Sequence, residues 1–275
     1  MSLVDQPRTA NQAAIEAVLN YVDPGAPIGA HNDLERQKST LKLVAHTMPI
    51  HDARGADLSL ERTGFVVRKR PTRVTNFYDP AQVESIFIPE VEAFIKELTG
   101  ADRVIVFGTV IRNDNPGAAE GLRKPVYNAH VDYDVPTCRA VAEKNLSPAE
   151  WTKYRNNRII LINVWRPIVE VESAPLAVMD GSTMASQDLI YGPIGGQSVA
   201  GVANAAGYNI AYNPAHRWYY VPRQKPEEML AFKLSDSVPD AVQYAAHTSF
   251  KDPTEQPGAA RRQSIELRTL SLFSA

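Results

Sequence analysis

Apolar residues along this chain follow two rhythms, and the longer part of it follows the one of period two. Residues 11–21 (NQAAIEAVLNY) place apolar side chains at helical spacing and predict a short amphipathic helix. A second helical region opens at Asp79-Pro80, where the aspartate suits an N-cap and the proline a first turn. Pro89 is predicted to kink or interrupt it, because a mid-helix proline removes a hydrogen bond. Beyond Pro89, Val91, Phe94, Ile95 and Leu98 keep helical spacing as far as Gly100. Elsewhere the texture is that of short strands. Residues 41–50, 64–67, 103–111, 126–131, 158–165, 176–179, 207–212, 217–221, 229–234 and 264–273 are rich in β-branched and aromatic residues between Pro, Gly and Asn turns. Short helices are expected at 137–144 and, behind a Ser147 cap, at 148–154. Many short strands without regular helical alternation predict a mainly β protein. The expected arrangement is one domain: a jelly-roll (double-stranded β-helix, cupin-like) core over 101–275, supported by helical and irregular structure over 1–100.

Composition narrows the function. Apolar residues make up 44% and charged residues 22%, with a formal net charge of -2, so no basic field draws the chain to nucleic acid or an anionic membrane. The one cysteine, Cys138, excludes an intramolecular disulfide and reads as a buried structural thiol. Residues 1–14 lack an apolar signal core, and no apolar run approaches the roughly 20 residues that span a bilayer. A cytoplasmic protein handling a small molecule is the expectation, with homo-oligomerisation left open.

The chemistry-bearing segment is Tyr127-Asn128-Ala129-His130-Val131-Asp132. On a strand, His130 and Asp132 point to one face and offer two corners of a metal's coordination sphere. A histidine from a distant strand would complete a 2-His-1-carboxylate facial triad, the arrangement of non-haem Fe(II) oxygenases. His-x-Asp alone is unspecific, since it arises by chance in many chains. His247 and His216 compete for the third position, and His247 is preferred because the next strand carries an arginine suited to a dicarboxylate. There Arg262, Ser264, Glu266 and Arg268 share a face, and a guanidinium fork with a neighbouring hydroxyl can bind a carboxylate. A charged outer face, with Glu266 and Arg268 paired, is the competing reading. Arg166 is expected either to bridge Asp180 or Asp236 or to meet an acidic substrate. Trp165, Trp218, Tyr219 and Tyr220 read as half core and half pocket wall, and Tyr133 and Asp134 as part of the pocket mouth. His51-Asp52 reads as a capped turn. The glycine-rich stretch 180–207, with Gly192, Gly195, Gly196 and Gly201, is expected to form a mobile lid of little charge over a largely apolar substrate.

Several longer strings then resemble one family. They include His51-Asp52-Ala53-Arg54-Gly55, Thr99-Gly100-Ala101-Asp102-Arg103-Val104, His130-Val131-Asp132 and Asn163-Val164-Trp165-Arg166-Pro167-Ile168. Pro175-Leu176-Ala177-Val178-Met179-Asp180, Tyr212-Asn213-Pro214-Ala215-His216-Arg217-Trp218-Tyr219-Tyr220, His247-Thr248-Ser249-Phe250 and Ser264-Ile265-Glu266-Leu267-Arg268 follow in order. Together they resemble the 2-oxoglutarate/Fe(II) oxygenases of specialised metabolism, in the hydroxylase/desaturase group with cephem-methoxylase-like and gibberellin-desaturase-like members. The resemblance implies a double-stranded β-helix, Fe(II) on His130, Asp132 and His247, and 2-oxoglutarate with O2 as cosubstrates. It further implies hydroxylation, desaturation or ring formation at a C–H bond of a small metabolite. Arg262, with Ser264, would anchor the far carboxylate of 2-oxoglutarate, with Arg268 as the rival. Two other classes stay open: a redox-neutral isomerase or hydrolase on the same iron scaffold, and a non-enzymatic jelly-roll small-molecule binding protein.

Overall fold

The stretch Ile159–Pro167 (IILINVWRP), here β6, is buried at every position, which requires cover on both of its faces. The computed structural model, which describes residues 14–27, 40–119, 122–194, 202 and 205–274, supplies that cover with a second sheet on one side and a helix on the other. The smaller sheet runs in the order Phe65–Lys69 (β3), Glu228–Asp236 (β11), β6, Gln263–Leu272 (β13) and Arg103–Asn113 (β4), all antiparallel. Ile160, Ile162 and Val164 face the helix with Ile265 and Leu267, against Phe87, Val91, Phe94 and Ile95. Ile159, Leu161 and Trp165 face the opposite way, into an inter-sheet core with Leu176, Val178, Phe232 and Leu270.

The larger sheet orders Ile15–Val22 (β1), Leu43–Asp52 (β2), Trp218–Tyr220 (β10), Leu176–Met179 (β7), His247–Ser249 (β12), His130–Val131 (β5), Ala206–Ile210 (β9) and Leu189–Pro193 (β8). Among the ladders between described strands of this sheet, the β2–β10 pair is parallel and the rest are antiparallel. At its far end β1 curls round so that Asn20 and Val22 bridge Asn128 and Ala211, nearly closing the sheet around a third cluster that includes Leu19, Tyr21, Met179, Ile210 and Trp218. The result is the expected jelly roll.

Three local expectations change. The helix expected over 11–21 is the strand β1; residues 11–13 lie outside the described residues. The same string also reads with period two, and that reading wins because Ala17, Leu19 and Tyr21 are buried against the sheet while Glu16 and Val18 face outward. The first hundred residues therefore contribute β1, β2 and β3 to the sheets as well as a helix. That helix starts where expected: Asp79 accepts from the Ala81 N–H and caps Pro80–Gln82 (α1). Before Pro89 the regular α-helical ladder is interrupted, as expected, without the helix ending. The chain widens into a π turn at Val83–Phe87 and continues as Ile88–Thr99 (α2), so the missing donor and ring clash at Pro89 are absorbed by a wider turn. Gly100, at φ 69°, closes α2 in the left-handed conformation with its N–H on the Lys96 carbonyl.

The stretch 180–207 is not one loop. It holds two short 3-10 turns, Gly181–Thr183 and Ser186–Asp188, and then β8, paired along its length with β9. Gly192 is a packing glycine there, since a Cβ would lie 2.4 Å from the Asn209 side-chain nitrogen. Gly195, Gly196 and Gly201 lie outside the described residues. The helices Val135–Asn145 (α3) and Pro148–Tyr154 (α4) form as expected, α4 behind a capping box of Ser147 and Glu150. Cys138 is buried in α3, its thiol pushed up to about 12 by burial.

Candidate metal centre

Strand pairing decides which side chains meet. His130 on β5 lies directly opposite His247 on β12, and His247 in turn opposite Val178 on β7. Directly opposed residues share a face, so Tyr219, Val178, His247, His130 and Asn209 form one row across the inner side of the larger sheet. The two imidazole centroids are 4.3 Å apart at 52°. Asp132 follows two residues after His130 and returns to the same face, with Oδ1 3.3 Å from His130 Nε2 and 3.7 Å from His247 Nε2. Donor atoms of all three lie within 4.8 Å of one another. Their side chains keep 14%, 12% and 8% of their surface open, enough contact with the interior space for a ligand to reach them.

The donor set suits a metal ion. His130 Nδ1 lies 2.8 Å from the Asn128 carbonyl, which orients the ring so that Nε2 faces Asp132. Burial works against the imidazolium, yet Asp132 and the Asn128 carbonyl raise the His130 pKa above its ordinary value. Burial, reinforced by the neighbouring His130, drives His247 down to about 3, so its ring is neutral. Burial alone would raise Asp132, but the Arg268 guanidinium and the two histidines hold it well below the ordinary carboxylate range. Two imidazoles and one carboxylate, convergent and braced by the Asn128 carbonyl and Arg268, can hold a divalent ion with positions to spare. Close approach of β9 helps to hold the ligand strand, because Gly207 has no Cβ: an added one would sit 2.3 Å from the Val131 carbonyl oxygen and 2.6 Å from that of Asp132.

The facing sheet brings charge. Arg268 Nη2 is 3.4 Å from Asp132 Oδ2 and 3.2 Å from Glu266 Oε1, and Glu266 also accepts from Arg112. Glu266 and Arg268 are thus paired, but on the inner face of β13, against the metal cluster, not on an outer one. Burial works against the Glu266 charge, yet Arg112 and Arg268 keep it below its ordinary value. Sequence reading missed Arg112 because only the β4–β13 register, which opposes it to Ser264, brings it inward. Arg262 and Ser264 lie further along the same face. Arg262 is 2% exposed; its Nη1 donates to the Ala174 carbonyl at 2.8 Å and to Ser249 Oγ at 2.7 Å, and the guanidinium sits 5.7 Å from the Trp165 ring centre. Burial, with the nearby Arg112 charge, lowers it to about 9. Arg262 Nε and Ser264 Oγ have no protein partner. Ser249 is two residues from His247 on β12, so this arginine is tied to the metal strand itself. A buried, unneutralised guanidinium beside a free hydroxyl fits a carboxylate better than Arg268 does, whose Nη2 already serves Asp132 and Glu266.

Other expected site residues lie elsewhere. Arg166 opposes Ile265, on the helix side of β6, where it donates to the Arg70 carbonyl and lies 5.3 Å from the Phe87 ring. It reaches neither Asp180, which pairs with Arg217, nor Asp236, which pairs with Arg158 and Lys233. Trp218 and Tyr220 face the third cluster, on the side of the larger sheet opposite His247, and Trp218 Nε1 donates to Tyr21 Oη at 2.7 Å. Of the four aromatics expected to split between core and pocket wall, Tyr219 and Trp165 take the inner face. His216 belongs to that outer cluster too, 3.0 Å from Asp188 and stacked on Tyr21. Tyr133 is 1% exposed, under the Arg268 guanidinium and inside the core instead of at a mouth. Asp52 caps its turn by accepting from the Arg54 N–H.

A jelly roll with a His/Asp/His cluster on its inner face defines the class of cupin-like metal-dependent oxidoreductases. Residues 19–272 match the family described as "Oxidoreductase/YMDC permease-like domain". The chain is 31% identical over 278 residues to the alpha-ketoglutarate-dependent dioxygenase phiK of a fungal species, covering 96% of this chain and 98% of that one. It is 27% identical to the hydroxylase/desaturase efuI of Hormonema carpetanum, over 93% of this chain and 94% of the relative. Among solved structures, the iron and alpha-ketoglutarate-dependent endoperoxidase NvfI superposes with a TM-score of 0.82 at 24% identity, over 97% of this chain and all of that one. The chain belongs to the oxidoreductase family that these dioxygenases and hydroxylase/desaturases share. No helix among the described residues is long and apolar enough to cross a membrane.

Proposed function

We propose that this chain is a non-haem Fe(II)/2-oxoglutarate-dependent oxygenase that oxidises a C–H bond of a small specialised metabolite by hydroxylation, desaturation or ring formation. The observation that carries the reading is the convergence of His130, Asp132 and His247 within 4.8 Å, with Arg262 tied to the same strand as His247. His130, Asp132 and His247 would hold the iron, and a three-ligand protein site of this kind would leave room for cosubstrate and O2. Bound iron with 2-oxoglutarate and O2 supplies the oxidising power, with succinate and CO2 as co-products.

The protein's share is placement. The Asn128 carbonyl orients the His130 ring, and Arg268 holds the second oxygen of Asp132. Arg262 and Ser264 take the far carboxylate of 2-oxoglutarate. Phe232, whose ring lies 4.6 Å from that of His247, and Trp165 exclude water from the space between. These walls suit a largely apolar substrate. One oxygenase domain, in a cytoplasmic setting that keeps Cys138 reduced, completes the reading.

The test is anaerobic addition of Fe(II) and 2-oxoglutarate, read by the weak visible metal-to-ligand charge-transfer band. Wild-type protein should show it, and His130→Ala, Asp132→Ala and His247→Ala should each abolish it while keeping a native circular-dichroism spectrum. A folded wild type without the band overturns the reading. Turnover without succinate release would instead point to a redox-neutral enzyme on the same scaffold.

A further inference from the structure

Along the inner face of β6 the residues are Ile159, Leu161, Asn163 and Trp165, so one amide interrupts an otherwise apolar stripe. Asn163 is fully buried, and neither its Nδ2 nor its Oδ1 has a protein partner. An amide buried with both ends unmet destabilises a fold, and its neighbours show that an apolar side chain would pack there. Its position says what it faces. In register it stands between Arg268 on β13 and Phe232 on β11. Arg268 reaches Asp132, and the Phe232 ring touches His247. The amide therefore lies across the inter-sheet space from the metal cluster, flanked by the two side chains that contact it from this sheet. The Arg262 guanidinium lies over Trp165, two residues along the strand, a spacing of about 7 Å that is close to the length of a five-carbon diacid.

Resting on the reading above, we propose that Asn163 positions the metal-binding end of the 2-oxo acid, its Nδ2 donating a hydrogen bond to the C1 carboxylate while Arg262 holds the other end. A neutral amide suits this place, because it orients the carboxylate without competing with the metal for its charge. The substituents that distinguish 2-oxo acids from one another lie at the Arg262 end, so Asn163 acts on all of them alike.

The test is Asn163→Leu, of nearly equal volume, with two readouts. Anaerobic Fe(II) protein is titrated with 2-oxoglutarate and with 2-oxopentanoate, which lacks the second carboxylate, and the visible band gives Kd. Loss of one hydrogen bond to a charged acceptor should weaken both acids about tenfold. Metal-free protein should melt at the wild-type temperature or above it, because the variant removes an unmet amide. Asn163→Ser, which keeps a donor, should lose less affinity than Leu and serves if the Leu variant does not fold. Affinities for both acids within twofold of a normally titrating wild type overturn the proposal alone, as does a melting temperature several degrees lower, which would make the amide a structural group. Failure of the wild type to show the band removes the reading beneath it.

Discussion

Replacing Arg262 by Met tests the cosubstrate anchor most directly. The guanidinium is 2% exposed, spends Nη1 on the Ala174 carbonyl and Ser249 Oγ, and leaves Nε without a hydrogen-bond partner. A carboxylate docked there forms a buried, charge-assisted pair, and truncating one partner of such a pair costs about 2–5 kcal/mol. Methionine retains the apolar stem against Trp165, so the lower half of that range applies: about 2–3 kcal/mol, a loss of roughly 30- to 150-fold in affinity for 2-oxoglutarate. The metal-free fold should change little. Two hydrogen bonds to neutral acceptors are lost, about 1 kcal/mol each, one of them to Ala174, which sits at a left-handed φ of 48°. Against this, the variant sheds a cation that burial already lowers to about 9. In anaerobic titrations read by the visible band, the variant should bind 2-oxopentanoate within about threefold of wild type. Only the preference for the diacid should collapse. Retention of that preference in Arg262→Met, with its loss in Arg268→Met, would refute the assignment and move the anchor to Arg268.

Gly207→Ala places a methyl group 2.3 Å from the Val131 carbonyl oxygen and 2.6 Å from that of Asp132, so the ligand strand must shift. Fe(II) affinity measured by chelator competition should fall at least tenfold, the scale on which disturbed ligand support acts; unchanged affinity would show that β9 does not hold Asp132 in place. Asp236→Asn strands the fully buried Lys233, whose Nζ is 2.7 Å from that carboxylate, and should cost about 3–5 kcal/mol, or roughly 10 °C in melting temperature. Burial alone would raise the Asp236 pKa, but Arg158 and Lys233 hold it below the ordinary value. The unfolded chain therefore takes up this proton first as pH falls. The stabilisation is complete above the ordinary carboxylate pKa and fades on acidification through it towards the folded value. The difference in melting temperature between wild type and variant should shrink on that side; a constant difference from pH 7 to 3 would contradict the argument.

Local chemistry was legible in the sequence wherever one strand or helix carries it. Period-two spacing alone puts His130 with Asp132, and Arg262, Ser264, Glu266 and Arg268 together, because alternation is a property of any extended chain. The Asp79, Ser147 and Gly100 caps are equally local. Residues 11–21 were not legible in this way, since the string fits both periods and only burial against the sheet selects the strand.

What the tertiary structure alone decided is which faces meet. Opposition of His247 to His130 follows from β12 pairing with β5, and no spacing in the chain encodes that register. The β10–β7 pairing puts Tyr219 on the His247 face and Trp218 and Tyr220 on the other, and β6 turns Arg166 towards the helix and Asn163 towards the inter-sheet face. The physical reason is that a strand's sequence specifies two faces but not which one is buried against what; that choice is made by long-range pairing, through the summed burial of whole sheets.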